Sequence, residues 1–238
     1  MKKIGLSNFS LILYFLGFFI FILVPFYPLY YAFYYYYLAV PMPYFLVLLP
    51  VVFIILYSIY ALLFILEAKI VLGLLNHDVK EGSFSTKQIN HALILWVLSN
   101  TFNSIIESVL DKLLIPKTTI AELLFTLFGR KVGKNIHIGS PVFDPYLTEI
   151  GDNTVTGKYA LILAHQMVGD NIYIKKTKIG RNVTIGAYAI ISPGVTIEDN
   201  VIVGANSFVK QNVVLENGYF YAGVPARKIK KISQKLKH

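Results

Sequence analysis

The second half of the chain returns to an aliphatic or small residue every six positions. The first ladder of such positions consists of Val132, Ile138, Asp144, Ile150, Thr156, Ile162, Val168 and Ile174. After a slip of one residue, a second ladder consists of Ile179, Ile185, Ile191, Ile197, Val203, Val209 and Leu215. A period of six fits neither an α-helix, which repeats every ~3.6 residues, nor a strand, which repeats every ~2. It fits a parallel β-helix, in which each flat face takes one hexapeptide.

The two ladders together predict roughly five coils over residues 131–220. A companion series of small and aliphatic residues lies four positions further on, beginning at Ile136 and again at Val183. Glycine often follows a ladder position, as at Gly151 and Gly186. We expect the aliphatic side chains to fill the interior, and the glycine and asparagine positions to adopt the unusual backbone of the corners. A generic β-rich domain is a weaker alternative because the register holds for so long.

The first quarter of the chain has a different pattern, since no Asp, Glu, Lys or Arg occurs from Ile4 to Leu66. This run suffices for two membrane crossings of about 20 residues each. A secretory signal peptide fits less well, because the run is too long and no small-residue cleavage site follows it. A soluble helix pair also fits less well, because the segment is apolar on every side. We therefore predict a transmembrane helical hairpin within residues 1–75.

Two prolines within residues 40–43 interrupt helical hydrogen bonding and divide this hairpin. We predict its helices at about 8–35 and 44–72. The intervening loop is uncharged, whereas lysines flank the hairpin at Lys2, Lys3, Lys69, Lys80 and Lys87. The positive-inside rule then places the N-terminus and the β-helix on the cytoplasmic side of the cell membrane, in a multi-pass protein.

Residues 76–130 read as connecting and amphipathic helices. Residues 73–86 have the composition of a loop, and residues 86–113 have a helical pattern. Four polar side chains make it costly for this second segment to span a membrane, namely Asn90, Asn100, Asn103 and Glu107. We expect it to lie on the membrane surface or to pack on the hairpin. A further helix at about 117–129 is expected to cap the exposed end of the β-helix core.

Composition agrees with a membrane-associated protein of the cytoplasmic side. Hydrophobic residues make up 55% of the chain, and the chain contains no cysteine. The formal net charge is +9, with a predicted basic tail over residues 221–238. Nucleic acid is not a favoured partner, because no nucleic-acid module accompanies the charge. The anionic inner leaflet and the phosphates of a nucleotide-containing cosubstrate are better partners for the tail.

Residues 179–232 carry a resemblance to a known family. They include Ile179-Gly180-Arg181-Asn182-Val183 and, later, Ile197-Glu198-Asp199-Asn200-Val201, and they close with Gly223-Val224-Pro225-Ala226-Arg227. The stretch resembles the hexapeptide-repeat acyltransferases, above all the galactoside and maltose acetyltransferase group, over about residues 130–232. The resemblance implies a left-handed β-helix that forms a homotrimer. It also implies that acyl-CoA, by family habit acetyl-CoA, binds between adjacent subunits as cosubstrate, with no permanently bound cofactor and with a histidine as general base.

A second, weaker resemblance rests on layout. The membrane hairpin, the amphipathic middle and the β-helix together look like the membrane-bound acyltransferase-like C-terminal region of some bacterial peptide synthetases. The sequence motifs behind it are Asp144-Pro145-Tyr146 and Ile150-Gly151-Asp152-Asn153.

His165 is the candidate catalytic base. It lies deep in the coil region at a break in the pattern, where Leu163 stands in place of the usual glycine. Imidazole has an unperturbed pKa of about 6.5, so it can accept a proton near neutral pH. The resemblance places the catalytic histidine just before the segment that matches Ile179 onward. The alternative is a surface histidine on a coil corner.

Two carboxylates are candidates for contact with the acceptor. Asp144 interrupts the first ladder, and because a carboxylate facing the coil interior would be costly, we expect the chain to distort there and to present it outward. The resemblance implies that an aspartate at this place contacts the acceptor, whereas the alternative is a turn-forming Asp-Pro pair. Glu149, next to a ladder position, is an alternative group that could orient His165.

The candidate cosubstrate residues are predicted from position and from the resemblance. Gly186-Ala187 and Gly204-Ala205 place small residues at coil corners, where a pantetheine arm could approach backbone amides. Repeat geometry alone is the alternative for the glycines. The resemblance implies that Pro225, Arg227 and Lys230 match the segment that meets the nucleotide end of CoA, and the cationic side chains of Arg227 and Lys230 suit phosphate. A solvated basic tail is the alternative for Arg227 and Lys230.

The sequence thus favours a membrane-anchored, CoA-dependent O- or N-acyltransferase. Its acceptor is expected to be a saccharide, a glycolipid or another hydroxyl- or amine-bearing molecule linked to the membrane. A zinc carbonic anhydrase on the same fold is disfavoured, because only His137 and His165 are coil histidines and cysteine is absent, so we expect no metal. A non-catalytic β-helix scaffold and a peptide-synthetase-related membrane module stay open. The scaffold is supported by the short segment from Ile174 to Ile179, where many acetyltransferases insert an arm loop.

Overall fold

The computed structural model describes residues 20, 23–74, 80–87, 91–113, 115–139 and 143–232. Half of the first predicted helix, and Lys235 and Lys237 of the predicted tail, lie outside the described residues. The chain divides into two compact units. The apolar unit comprises Met1–His77 and Ser104–Leu114, and the coil unit comprises Asp78–Asn103 and Ile115–His238.

The apolar unit is helical. Its described helices are α1, Phe26–Ala39, and α2, Met42–Leu74. They separate at Val40-Pro41, where the chain becomes extended, and the Tyr36 hydroxyl donates to the Phe45 carbonyl across the break at 2.9 Å. The end of a third helix, α3, His91–Asp111, also belongs to this unit, and Tyr57 of α2 donates its hydroxyl to the Val109 carbonyl.

Two described helices are long and apolar enough to cross a membrane, judged by length and composition only. They are Met42–Leu72 and Ala92–Asp111. The first has 11% of its most apolar stretch buried within the protein, and the second has 39%. Since a helix in the interior of a soluble protein also passes this test, the predicted hairpin stays a proposal.

The coil unit is a parallel β-helix with three faces. The first face contains β2, β4, β9, β12 and β15, which are Lys131–Val132, Thr148–Ile150, Thr177–Ile179, Thr196–Ile197 and Val214–Leu215. The second face contains β3, β5, β10, β13 and β16, which are His137–Ile138, Val155–Thr156, Thr184–Ile185, Ile202–Val203 and Tyr219–Gly223. The third face contains β6, β11 and β14, which are Leu161–Ile162, Ile190–Ile191 and Phe208–Val209. The predicted fold class, a mainly β C-terminal half preceded by helices, is confirmed at this level.

The ladder residues fill the interior of the coils. Ile150, Ile185 and Val203 are buried, as are Val183 and Ala189 of the companion series. Helix α4, Lys117–Phe128, places Ala121 and Phe125 against the same core, where they cover the end of the first coil. At the other end, β16 pairs with the antiparallel strand β17, Ala226–Lys231. Residues 221–231, predicted as the beginning of a basic tail, are therefore part of a folded hairpin.

Asparagine and glycine occupy the corners for two different reasons, namely a left-handed backbone and close stacking of the coils. At the corner between the first and second faces, Asn135, Asn153, Asn182 and Asn200 have φ of 54–56°, and their side-chain amides bond to one another at 3.1–3.3 Å. Asparagine tolerates this left-handed conformation better than most residues. The glycines that follow buried ladder residues, such as Gly151 and Gly186, have no such φ. A Cβ on Gly186 would lie 2.3 Å from the backbone nitrogen of Ala205, so stacking of the coils requires this glycine.

An inserted hairpin interrupts the coils after the third face. On the first face, the neighbouring residues Ile179 and Ile197 are 18 residues apart in the chain. The neighbours Ile150 and Ile179 are 29 residues apart. Eleven residues therefore leave the coil between β6 and β9. They form β7, His165–Val168, and β8, Asn171–Ile174, which pair antiparallel. The prediction that Val168 is an interior ladder residue is wrong, because its side chain is 57% exposed. The apparent one-residue slip is this insertion.

A strand from outside the repeat completes the hairpin sheet. Strand β1, Gly82–Ser85, pairs antiparallel with β8 and lies in a segment that the sequence predicted as a loop. Lys87 forms an ion pair with Asp170 in the hairpin turn. The sheet order is β1-β8-β7, so β1 is held to the inserted hairpin by backbone hydrogen bonds.

Candidate active site

The candidate site lies at the corner between the third and first faces of the first two coils. Asp144 stands where the first coil would place a strand of the third face, and its backbone is left-handed, with φ 50° and ψ 54°. Pro145 follows and begins a 3₁₀ turn, Pro145–Leu147, since proline fixes a φ suited to the start of a helix. The chain distorts here as expected. The prediction that the distortion presents Asp144 outward is wrong, because its side chain is 0% exposed.

Among the described residues, five donors surround the buried Asp144 carboxylate. Its Oδ1 accepts from Trp96 Nε1 at 3.1 Å, from Asn100 Nδ2 at 3.0 Å and from the Tyr146 hydroxyl at 3.2 Å. Its Oδ2 is 2.5 Å from His165 Nδ1 and 3.4 Å from the Ala164 backbone nitrogen. Burial of an unpaired carboxylate would be strongly unfavourable. These donors replace the lost water, so the ionised form is accommodated inside the protein.

His165 begins the inserted hairpin, and its side chain is 20% exposed. Because carboxylate oxygens only accept, the hydrogen bond to Asp144 requires a proton on Nδ1. Nε2 is then the nitrogen that can accept a proton from another molecule. The Trp96 ring meets the imidazole edge to face, with 4.9 Å between ring centroids, so the ring is held from two sides. An imidazole held by a carboxylate in this way is able to accept a proton at Nε2.

Tyr146 reinforces the carboxylate from the 3₁₀ turn. Burial, followed by the nearby Asp144 charge, raises the pKa of this phenol well above its usual value. It therefore stays protonated and donates to Asp144 Oδ1, while its oxygen accepts from Asn100 Nδ2 at 2.9 Å. The hydroxyl is thus a neutral link between the carboxylate and helix α3.

Helix α3 supplies two of the donors from outside the repeat. Trp96 and Asn100 are four residues apart and share one helix face, and Asn100 Nδ2 also donates to the Trp96 carbonyl at 3.0 Å. Sequence reasoning assigned neither residue to the site. The available signal was that Trp96, the single tryptophan of the chain, and the polar Asn100 are four residues apart in a predicted helix.

Glu149 is engaged elsewhere. It lies on β4 of the first face, and its carboxylate is 3.3 Å from Arg130 Nε. The group that contacts His165 in the structure is Asp144, so Glu149 does not take the orienting position that the sequence allowed for it.

The predicted cosubstrate residues lie on other parts of the coil unit. Gly186-Ala187 and Gly204-Ala205 are at the corners between the second and third faces, where Asn206 donates to the Ala187 carbonyl. Pro225 lies in the turn of the final hairpin, and Arg227 and Lys230 are exposed on β17. His165 is at a different corner. Within one chain, the structure does not gather these residues around the histidine.

Metal ligands are not grouped in the part of the chain that the structure describes. No set of three or more His, Cys, Asp or Glu side chains there is arranged to hold a metal ion. The second coil histidine, His137, is paired with Glu122 of α4 at 2.9 Å, and its side chain is 57% exposed.

Comparison with known proteins supports the repeat architecture. Residues 176–211 match the family described as bacterial transferase hexapeptide (six repeats). A maltose O-acetyltransferase from Clostridium difficile 630 is similar in structure, with 22% identity and a TM-score of 0.51 over 66% of this chain and 95% of that one. A galactoside acetyltransferase in complex with coenzyme A has 25% identity and a TM-score of 0.47, over 60% of this chain and 85% of that one.

A hexapeptide-repeat-containing acetyltransferase from Vibrio cholerae O1 biovar eltor, complexed with acetyl coenzyme A, has 24% identity and a TM-score of 0.39. The match covers 43% of this chain and 60% of that one. No curated protein matches the chain. The family match and the similarity to the maltose enzyme confirm a hexapeptide-repeat β-helix.

Proposed function

We propose that the protein is an acyltransferase that moves an acyl group from acyl-CoA to a hydroxyl or amine acceptor, with His165 as the general base. The observation that carries this proposal is the buried Asp144 carboxylate 2.5 Å from His165 Nδ1, which directs the basic Nε2 away from it. The kinship to hexapeptide transferases supports the reaction class, and acetyl-CoA is the preferred donor.

The proposed chemistry is direct acyl transfer. His165 Nε2 takes the proton of the acceptor O–H or N–H as that oxygen or nitrogen attacks the thioester carbonyl carbon. The C–S bond then breaks, and the imidazolium returns the proton to the departing thiolate, which leaves as CoA-SH. Asp144 stabilises the transient imidazolium. Positioned proton transfer of this kind contributes about 10²- to 10⁴-fold to the rate.

We reassign Asp144 from acceptor binding to orientation of the base. Both carboxylate oxygens are already engaged by donors of the protein, and the side chain is fully buried. An acceptor hydroxyl would have to displace one of these donors to reach it. Glu149 remains a candidate for acceptor contact, since its side chain is 27% exposed at the neighbouring first-face strand.

We propose that the cosubstrate site is shared between subunits of a homotrimer of left-handed β-helices. The predicted pantetheine residues, at the Gly186-Ala187 and Gly204-Ala205 corners, and His165 lie at different corners of one chain. A site that needs both the histidine and the pantetheine residues is completed when the His165 corner of one subunit faces the Gly186-Ala187 and Gly204-Ala205 corners of its neighbour. Pro225, Arg227 and Lys230 of the final hairpin would then meet the nucleotide phosphates of CoA, for which exposed cationic groups are suited.

We also propose that the enzyme is anchored in the cell membrane through residues 1–75 and works on the cytoplasmic face. The support is the uncharged run from Ile4 to Leu66 and the length and apolarity of α2. An anchored enzyme is suited to an acceptor that is itself in the membrane, such as a glycolipid or a lipid-linked saccharide.

The test is thiol release from acetyl-CoA by the detergent-purified protein, supplied with lipid and sugar extracts of its host. We expect release that depends on the extract and falls about 10²- to 10⁴-fold in His165→Ala. His137→Ala is the matched control, since it removes the other coil histidine, and it should retain activity. Absence of both thiol release and CoA binding in the wild-type protein would instead favour a non-catalytic scaffold.

A further inference from the structure

The Asp144 carboxylate depends on a helix that is not part of the repeat. Two of its three Oδ1 donors, Trp96 Nε1 and Asn100 Nδ2, come from α3, 48 and 44 residues earlier in the chain. The same helix places the Trp96 ring against the imidazole. A β-helix alone would leave Oδ1 with the Tyr146 hydroxyl only, among the described donors.

We infer that Trp96 and Asn100 are positioning residues, which hold the His165 imidazole in its working orientation through Asp144. Neither is a catalytic residue, since their polar atoms contact the carboxylate and not the base nitrogen. The inference rests on the proposed role of His165 for its catalytic consequence, but the effect on the histidine itself can be measured without any activity.

The physical reason is the distribution of negative charge on the carboxylate. Donors to Oδ1 stabilise the ionised form and draw charge towards that oxygen. Without them, more of the carboxylate charge is balanced at Oδ2 by His165, so the protonated imidazole is stabilised relative to the neutral one. The carboxylate also loses the contacts that fix its rotation, so the Nε2 direction becomes less well defined.

Other titratable groups near the pair do not obscure this effect. Tyr146 is buried and protonated, and neither variant replaces it. Two lysines lie at the base of the inserted hairpin. Lys175 Nζ donates to Asn212, and Lys176 Nζ is 3.7 Å from Glu81.

The experiment is a histidine titration by NMR on the full-length protein in detergent, labelled at histidine Cε1, with His165→Ala to assign the resonance. Asn100→Leu removes one donor at similar volume, and Trp96→Phe removes the other while keeping an aromatic ring. We expect His165 to bind its proton about three- to tenfold more tightly in each variant. Val97→Ala, on an exposed part of the same helix, is the matched control and should not change the titration.

Thermal unfolding separates positioning from loss of structure. If one variant does not fold, the other decides. A folded Asn100→Leu or Trp96→Phe protein in which His165 titrates as in the wild type, or binds its proton more weakly, overturns the inference. Where the wild type releases thiol, the acid limb of its kcat/KM profile should move to higher pH in both variants. If the wild type releases none, the proposed function fails while the NMR titration still tests the positioning.

Discussion

The regular coils and the Asp144–His165 corner are built from the same repeat but obey different constraints. In the coils, the residue type allowed at each position is limited by the coils stacked on either side. Position 186, for example, requires glycine because a Cβ there would clash with the backbone of Ala205. At the corner, the repeat fails twice, by a turn at Asp144 and by the hairpin that begins at His165. The regular part supplies rigidity, and the interruptions supply groups with chemical capability. Functional residues are therefore expected where local rules are broken.

The largest effect should come from changing the corner at Asp144. Asp144→Asn keeps the shape of the side chain but removes the charge that stabilises the imidazolium, so we expect thiol release to fall about hundredfold or more. The measurement is the rate of CoA release from acetyl-CoA at saturating acceptor extract. Glu149→Gln is the comparison variant. At saturating acceptor it should change the rate little, since loss of an acceptor contact raises KM and the Glu149 carboxylate is paired with Arg130. The opposite order of effects would return the orienting role to Glu149.

A second test compares two positions that the sequence assigned to one ladder. Ile150 is 1% exposed in the first face, whereas Val168 is 57% exposed on the inserted hairpin. Ile150→Ala should lower the free energy of unfolding of the coil unit by about 2–5 kcal/mol. Val168→Ala should change it by no more than about 0.5 kcal/mol. Thermal and denaturant unfolding of the purified variants measures both. Equal losses would place Val168 in the core and contradict the hairpin.

The same comparison shows what the sequence could predict. Periodic burial leaves a signature in the sequence, because each coil requires an interior side chain at the same place as the coil before it. The ladders therefore predicted roughly five coils over residues 131–220. An aspartate within a ladder has no such signature. The sequence does not distinguish an aspartate that points outward from one that is buried, because the hydrogen-bond donors that would permit burial are not visible in the repeat.

The donors of Asp144 could not be found in this way, because they are distant in sequence. Trp96 and Asn100 belong to a helix whose sequence pattern is explained by the burial of its apolar residues. The hydrogen bonds of these two side chains with Asp144 add no recognisable spacing to the sequence of the helix. The hairpin was missed for a related reason. Val168 and Ile174 are spaced so that they continue the first ladder, and only the strand register reveals that eleven residues have left the coil.

The smallest effect is expected in the regular coils, at an exposed ion pair between neighbouring turns. The Arg181 backbone N–H, and then its guanidinium, lower the pKa of Asp199, whose Oδ1 accepts from Arg181 N at 2.7 Å. Because the pKa is lower in the folded state, the charge contributes stability above its unfolded value of about 3.9, and this contribution is lost as the pH falls through the folded value.

Asp199→Asn retains an oxygen that can accept the backbone hydrogen bond and removes only the charge. We expect the melting temperature at pH 7 to fall by no more than about 2 °C, since exposed ion pairs contribute little. The difference from the wild type should shrink as the pH falls through the folded-state pKa of Asp199, because both side chains are then neutral. A difference that persists unchanged at the lower pH would mean that shape and not charge matters at this corner. The expected small effect at Asp199 and the expected large effect at Asp144 have one physical cause. The same carboxylate charge interacts weakly with its neighbours where water is present and strongly where water is excluded.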